Sequence, residues 1–398
     1  MQPPRSFVLL ANARLPSQRA QSLQVVQAAA ALQRVGAGDV TLVHALRVPT
    51  PSLAAGTTLF DHYAAGPPPW PEVVAVPHLD WIERVPASLQ FLPARAQEWS
   101  FSRRAARWVE RELPRAIVLS REVEAALALL RRGVVRDVFL ELHRVPGGRL
   151  RRSWLRAAAE RARGIVAISG GVRDDLLAEG VPPERITVEH DGYEARRFEG
   201  LPDRRAARAA LGLADDKPLV VYTGGLMAWK GVDVLVEAAR RTPGIEYAIA
   251  GGTESDVARL RDRARGLANV RIDGFRAPGD VAQYLAAADV GVVPNRSEPA
   301  ISARYTSPLK VFEAMACGLP LVVSDLPSLR EILGADDAFF VAPDDPEALA
   351  EGVRRALRQV DGRERMRTRL LARAPSHTWD ARARRLVEWM LERAGARS

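Results

Sequence analysis

A chain of 398 residues and 43.5 kDa exceeds what one ordinary hydrophobic core organises and predicts two domains or three. With 47% hydrophobic and 26% charged residues, the composition excludes a disordered or collagen-like chain. The formal charge is +9, yet among the 57 basic residues only Lys217, Lys230 and Lys310 are lysines. The excess therefore reads as arginine usage spread along the chain, not as the clustered charge of a nucleic-acid binder.

The single cysteine, Cys317, excludes an intramolecular disulfide and a cysteine-based zinc site. It falls in an apolar helical pattern and is expected to be a small buried residue. The first apolar run, Phe7–Ala11, is too short for a signal peptide and reads as a strand. No stretch of about 18 apolar residues occurs, so no transmembrane helix is expected. The chain reads as reduced and cytoplasmic, with peripheral contact at the inner membrane face left open.

In chain order, strands are expected at Phe7–Ala11, Val40–Ala45, Ala116–Ser120, Val135–Leu142, Gly164–Ser169 and Arg185–His190. Helical patterns lie between them, including Ser22–Val35, with Gly36 as C-cap, and Ser153–Arg163. Val48–Pro86 is rich in Pro and Gly, weakly periodic, and expected to be loops. Around Arg196–Lys217 the apolar pattern stops, marking the domain boundary. A second series of strands follows near Leu219–Thr223, Gly244–Ala250, Asn269–Asp273, Val290–Pro294, Leu319–Ser324 and Ala338–Val341. Helices at Val232–Arg241, Val257–Arg265 and Pro308–Ala316 fill its gaps, and the tail from Pro346 is helical. Alternation of this kind predicts two α/β domains with parallel sheets and a ligand at the carboxyl ends of the strands, in the cleft.

Three segments carry chemistry. In SPLKVFEAMACGLPLVVSD, Ser307 is expected to cap a helix that starts at Pro308. The free N–H groups of such a terminus favour an anion. Lys310 in the first turn opposes the helix dipole unless something negative faces it. Glu313 follows on the same face, so the pair suits either a nucleotide diphosphate or an ordinary surface ion pair. In TGGLMAWKG, a strand runs into Gly224-Gly225 and Lys230-Gly231 opens a helix, a geometry for amides and a lysine around phosphate. It has neither the Walker A ending nor the G-x-G-x-x-G spacing, which argues against an ATPase and a dehydrogenase. In VFLELHRVPGG, His143 ends a strand, where it either donates to a sugar hydroxyl or shuttles a proton, or is simply structural. The other histidines lack zinc-binding spacing, and no metal site is expected.

These motifs, with GIVAISGGVRDDLLAEGVPPERITVEHDGYEARRF, NVRIDGF, AADVGVVPN and HTWDARARRL in the same order, resemble the retaining GT-B-fold glycosyltransferases of family four over nearly the whole chain. The resemblance implies an α/β GT-B fold, two Rossmann-like domains facing across a cleft. Residues 1–200 would bind acceptor, 201–375 would bind nucleotide sugar, and 376–398 would return as a helix to the first domain.

It also implies roles. Lys230 would hold the donor diphosphate with Gly224, Gly225 and the Ser307, Pro308, Leu309 and Lys310 helix start. Glu313 would bind the ribose hydroxyls, and Phe275 and Arg276 would flank the base. His143 would face the transferred sugar, and with Lys230 and Glu313 makes the expected catalytic set. Acceptor contacts fall to Pro16, Ser17, Gln18 and Gln21. The first glutamate of the family's E-x7-E pattern is replaced by Tyr305, and an arginine common after the first loop glycine is Gly225, which shifts the expectation for donor handling.

The expected activity is transfer of a hexose, with retention, from a UDP- or GDP-linked sugar to a glycan, lipid-linked or small-molecule acceptor in glycan biosynthesis. It needs no metal, no separate cofactor and no nucleic acid. The alternatives are a sugar-nucleotide epimerase or hydrolase and a non-catalytic GT-B scaffold.

Overall fold

A computed structural model describes residues 6–395; residues 1–5 and 396–398, the ends of the first and last expected segments, lie outside the described residues. The chain divides into two compact units. One comprises residues up to Ile168, Val172–His190 and the stretch from Trp379; the other comprises Ser169–Gly171 and Asp191–Thr378.

The first unit holds a seven-stranded sheet, β1 (Ser6–Ala11), β2 (Asp39–Ala45), β3 (Glu72–Val76), β4 (Ile117–Ser120), β5 (Asp137–Leu142), β6 (Gly164–Ala167) and β7 (Ile186–Val188). Its order is β3-β2-β1-β4-β5-β6-β7, and every pairing is parallel. β1 and β4 are buried almost throughout, the burial that continuous apolar runs require when helices cover both faces.

The Val48–Pro86 stretch is not all loop. Its EVVAV segment pairs with β2 as the edge strand β3, and the helical turn Leu59–His62 carries a Thr58–Asp61 capping box. β3 escapes a pattern search because most of it is exposed, as an edge strand allows. The helix expected from Ser153 begins at Arg149, directly after Gly148.

Helix Trp379–Gly395 also belongs to this unit. Its Trp379, Ala383, Leu386 and Met390 recur at helical spacing and are all buried. It packs on helix Ala20–Arg34, where Arg34 Nη2 donates to Asp380 Oδ1 at 2.6 Å. Trp389 lies 5.4 Å from the Phe139 ring.

The second unit holds β8 (Leu219–Thr223), β9 (Glu246–Ala250), β10 (Val270–Gly274), β11 (Val290–Val293), β12 (Leu321–Ser324) and β13 (Phe339–Val341). Their order is β10-β9-β8-β11-β12-β13, again all parallel. Strand order reverses between β1 and β4 in one unit and between β8 and β11 in the other. Open parallel sheets bind ligands at such points, beyond the carboxyl ends of the strands. Among the described residues no helix is long and apolar enough to cross a membrane.

Candidate functional site

The residues singled out in the sequence divide between the units. In the second, β8 ends at Thr223 and runs into Gly224, whose φ of +127° favours glycine. Gly224 N donates to Ala250 O at 2.9 Å, which ties the turn to the end of β9. Tyr222 Oη donates to Gly225 O at 2.6 Å from beneath. The chain then makes a 3-10 turn, Ala228–Lys230, and Gly231 (φ +67°) starts helix Val232–Arg240. A Cβ on Gly231 would stand 1.8 Å from Pro294 O, so only glycine lets this loop approach the end of β11.

The three lysines behave differently. Lys217 Nζ pairs with Glu246 Oε1 at 2.8 Å on the surface. Lys230 Nζ lies over the Trp229 ring, 3.9 Å from its centre, and desolvation pulls its ammonium down to about 7. Lys310 is buried on helix Leu309–Ala316, with Nζ 3.6 Å from the centre of the Tyr222 ring. That Nζ has no hydrogen-bond partner. It also lies 3.4 Å from where a Cβ on Gly224 would stand. Burial first, and then the charge of Lys230, push Lys310 well below the ordinary lysine value. Two desolvated amines beside a glycine turn, with the Lys230 charge acting on Lys310, form a cradle for an anion.

Glu313 is buried, and its Oε1 takes an ion pair from Arg197 Nη2 at 3.2 Å. Ser307 does not cap the helix: Pro308 occupies the cap position and Leu309 is the first helical residue. Ser307 Oγ instead accepts from the Asp191 amide at 2.7 Å, which draws it out of the capping geometry. Phe275 is exposed after β10. Beside it Arg276 Nε donates to Tyr284 Oη at 2.8 Å, and that hydroxyl donates to Asp273 Oδ2 at 2.8 Å. Tyr305 receives the Arg304 guanidinium over its ring at 5.5 Å.

One residue of this edge escapes sequence reasoning. Asn295, two positions past β11, is fully buried, and neither amide atom has a partner. A buried unpaired amide is costly and calls for something to complete it. The only signal in the sequence is a lone amide closing the VGVVPN run. Arg197, the partner of Glu313, was equally hidden in the ARRF segment.

In the first unit, His143 follows β5, with Nε2 3.2 Å from Glu141 Oε1. Arg121 Nη2 also donates to the His143 ring, and Arg121 Nε lies 3.3 Å from the same carboxylate. The acceptor-loop candidates follow β1. Pro16 is buried, and Gln18 and Gln21 are exposed. Ser17 N donates to Tyr63 Oη at 2.6 Å, while that hydroxyl donates back to Ser17 O at 2.7 Å. At the strand reversal itself, Glu122 Oε1 accepts from the Asn12 amide at 2.9 Å, and desolvation raises its carboxyl to about 7. Among the described residues, no three His, Cys, Asp or Glu side chains are grouped to hold a metal ion.

Comparison with known proteins bears on the family and the fold. D-inositol 3-phosphate glycosyltransferases of Mycobacterium bovis and Mycobacterium tuberculosis are 34% identical over 172 residues, 42% of this chain. The match spans 34% of those relatives' own length. Sucrose-phosphate synthase from Thermosynechococcus elongatus superimposes with a TM-score of 0.76 at 18% identity, covering 98% of this chain and 100% of that one. The Anabaena protein HepE, solved in complex with UDP, gives 0.73 at 17% identity over 98% and 100%. A glycosyltransferase from Rickettsia africae gives 0.75 at 13% identity over 98% and 99%. These structures share the GT-B fold with the two sheets described above. The model of Glycosyltransferase Family 4 matches residues 22–197 and that of Glycosyl transferases group 1 matches 217–359, so the chain belongs to the group 1, family 4 glycosyltransferases.

Proposed function

We propose that the protein transfers a hexose from a UDP- or GDP-linked sugar to an acceptor hydroxyl with retention of configuration. The observation that carries this reading is the buried Lys310 Nζ, without a hydrogen-bond partner, beside the Gly224–Gly225 turn, with Lys230 near it. A diphosphate supplies negative charge that favours the protonated form of both lysines. In this reading the bond from the anomeric carbon to the diphosphate oxygen breaks as the acceptor oxygen bonds to that carbon on the same face. The acceptor proton passes to the leaving diphosphate. Lys230, Lys310 and the amides at the Leu309 helix start stabilise the charge that develops there.

Glu313, oriented by Arg197, accepts from the ribose hydroxyls, and exposed Phe275 stacks on the base. His143, held by Glu141 and Arg121, donates to a hydroxyl of the transferred sugar. HepE is solved with UDP and with UDP-glucose, which supports a uridine nucleotide as the first donor to try. The acceptor is a glycan, lipid-linked or small-molecule hydroxyl, met by the Pro16–Gln21 loop.

Isothermal titration with UDP and with GDP tests the donor assignment. One nucleotide is expected to bind, with Lys230→Ala reducing affinity at least tenfold, the loss of about 1.4 kcal/mol. Binding by neither, or binding indifferent to Lys230→Ala, overturns it.

A further inference from the structure

A groove of about 300 Å³ opens on the surface of the first unit, among helices Phe91–Glu112, Val123–Arg132 and Arg149–Arg161. Trp99 and Trp154 line it together with Arg103, Arg107 and Arg131. Arg103 stacks over the Trp99 ring at 4.5 Å. Among the described residues Arg107 and Arg131 have no carboxylate partner, although nearby Arg132 and Arg151 pair with Glu110 and Glu124. In a chain whose arginines are mostly paired, two free guanidiniums in one groove are a local excess of positive charge.

The same helix extends this surface with apolar residues. Leu92, Trp99, Arg103 and Arg107 follow at spacings of seven, four and four, so they share one face. Leu92 is 74% exposed, Phe91 69% and Leu89 64%, and none of the three lines the groove. On the third helix, Leu150 stands one turn before Trp154 and is exposed as well. A water-facing cluster of this size has a cost that a solitary exposed leucine does not.

The geometry points to an anionic lipid bilayer as the occupant of this face. Leu89, Phe91 and Leu92 would enter the acyl boundary and Trp99 would sit at headgroup level. Arg103, Arg107 and Arg131 would meet lipid phosphates. A small anion in the groove would leave the protruding apolar residues in water, whereas a membrane surface covers both. Helix Phe91–Glu112 thus lies on the membrane without spanning it, and brings the Pro16–Gln21 loop's own unit to the surface where a lipid-linked acceptor resides. The inference stands independently of the donor assignment.

Co-sedimentation with phosphatidylcholine vesicles, with and without phosphatidylglycerol, tests it on the full chain. Binding is expected only with phosphatidylglycerol and should weaken as salt rises. Arg107→Gln and Arg131→Gln are each expected to weaken it about fivefold. Leu92→Ser should weaken binding while leaving its salt dependence. Each variant should keep the wild-type melting temperature and nucleotide affinity, since these side chains are exposed and unpaired. Failure to bind phosphatidylglycerol vesicles, equal binding to phosphatidylcholine alone, or binding unchanged in both arginine variants overturns the inference. None of those results bears on the UDP titration.

Discussion

Arg382 Nη2 donates to Glu141 Oε2 at 2.8 Å across 241 residues of sequence, and both side chains are 3% exposed. The same guanidinium donates from Nε to His190 O at 2.8 Å, which fixes its plane. Glu141 in turn stands beside His143 and Arg121, so one buried carboxylate joins helix Trp379–Gly395 to the catalytic candidate after β5. Burial alone would raise this carboxyl, but the Arg382 and Arg121 charges outweigh it and hold Glu141 well below the ordinary value of 4.5.

Glu141→Ala or Arg382→Ala strands a buried charge and should cost about 3–5 kcal/mol in urea unfolding. Because the folded carboxyl is more acidic than the unfolded one, its contribution is present above pH 4.5 and is lost as pH falls through the native value. Glu141→Gln should therefore flatten the stability profile below that pH. A positioning role predicts more than a stability loss: Glu141→Gln should also change the ring-nitrogen shifts of His143, read by nitrogen NMR. If only stability moves, Glu141 is a structural anchor.

Lys230 gives a proton-linkage prediction. With its folded value lowered to about 7 against 10.5, the unfolded chain holds the proton more tightly between those pH values. Folding stability should rise with pH through that window. A bound diphosphate favours the ammonium, so UDP should bind with uptake of roughly one proton near pH 8. Calorimetry in two buffers of different ionisation enthalpy reads that number, and Lys230→Ala should lower it.

Asn295 separates stability from binding. Its amide is buried and unpaired, so Asn295→Leu should leave stability unchanged or raise it by about 1 kcal/mol. If the amide completes the anion site at the ends of β8 and β11, the same variant should weaken nucleotide binding. Thermal melts and titration together check this, and unchanged affinity removes Asn295 from the site.

Gly231→Ala should do harm on both counts. The positive φ alone costs about 1–3 kcal/mol for a residue with a side chain. The clash with Pro294 O would also displace the Lys230 turn. A lower melting point with weakened UDP binding is expected, whereas Gly36→Ala, in open space at similar φ, should cost only backbone strain.

Much of this was legible because parallel sheets announce themselves. Leu219–Thr223 and Val290–Pro294 read as strands because both their faces are buried and valine dominates both runs. β3 was not, since its exposed positions blur the signal and prolines surround it. The lysines at 230 and 310 stood out through scarcity, and the glycines beside them through spacing. The cap at Ser307 failed because a long-range contact, the Asp191 amide, competes with the local one. Arg197 carries no pattern and Asn295 only the lone amide that closes VGVVPN; the fold alone brings Arg197 to Glu313 and seals Asn295 from water.

The assignment of helix Trp379–Gly395 to the first unit has a consequence for biogenesis. At a few to about 20 residues per second, the ribosome needs on the order of ten seconds or more to make the stretch between His190 and Trp379. Throughout that interval the nascent first unit lacks the helix that covers Ala20–Arg34 and one of the two guanidiniums, that of Arg382, that neutralise Glu141. The second unit can close as soon as Thr378 emerges, whereas the one begun first is completed last. The exposed flank of Ala20–Arg34 is then the surface on which chaperones should be found during synthesis, and a ribosome stalled before Trp379 should hold a protease-sensitive first unit beside a resistant second.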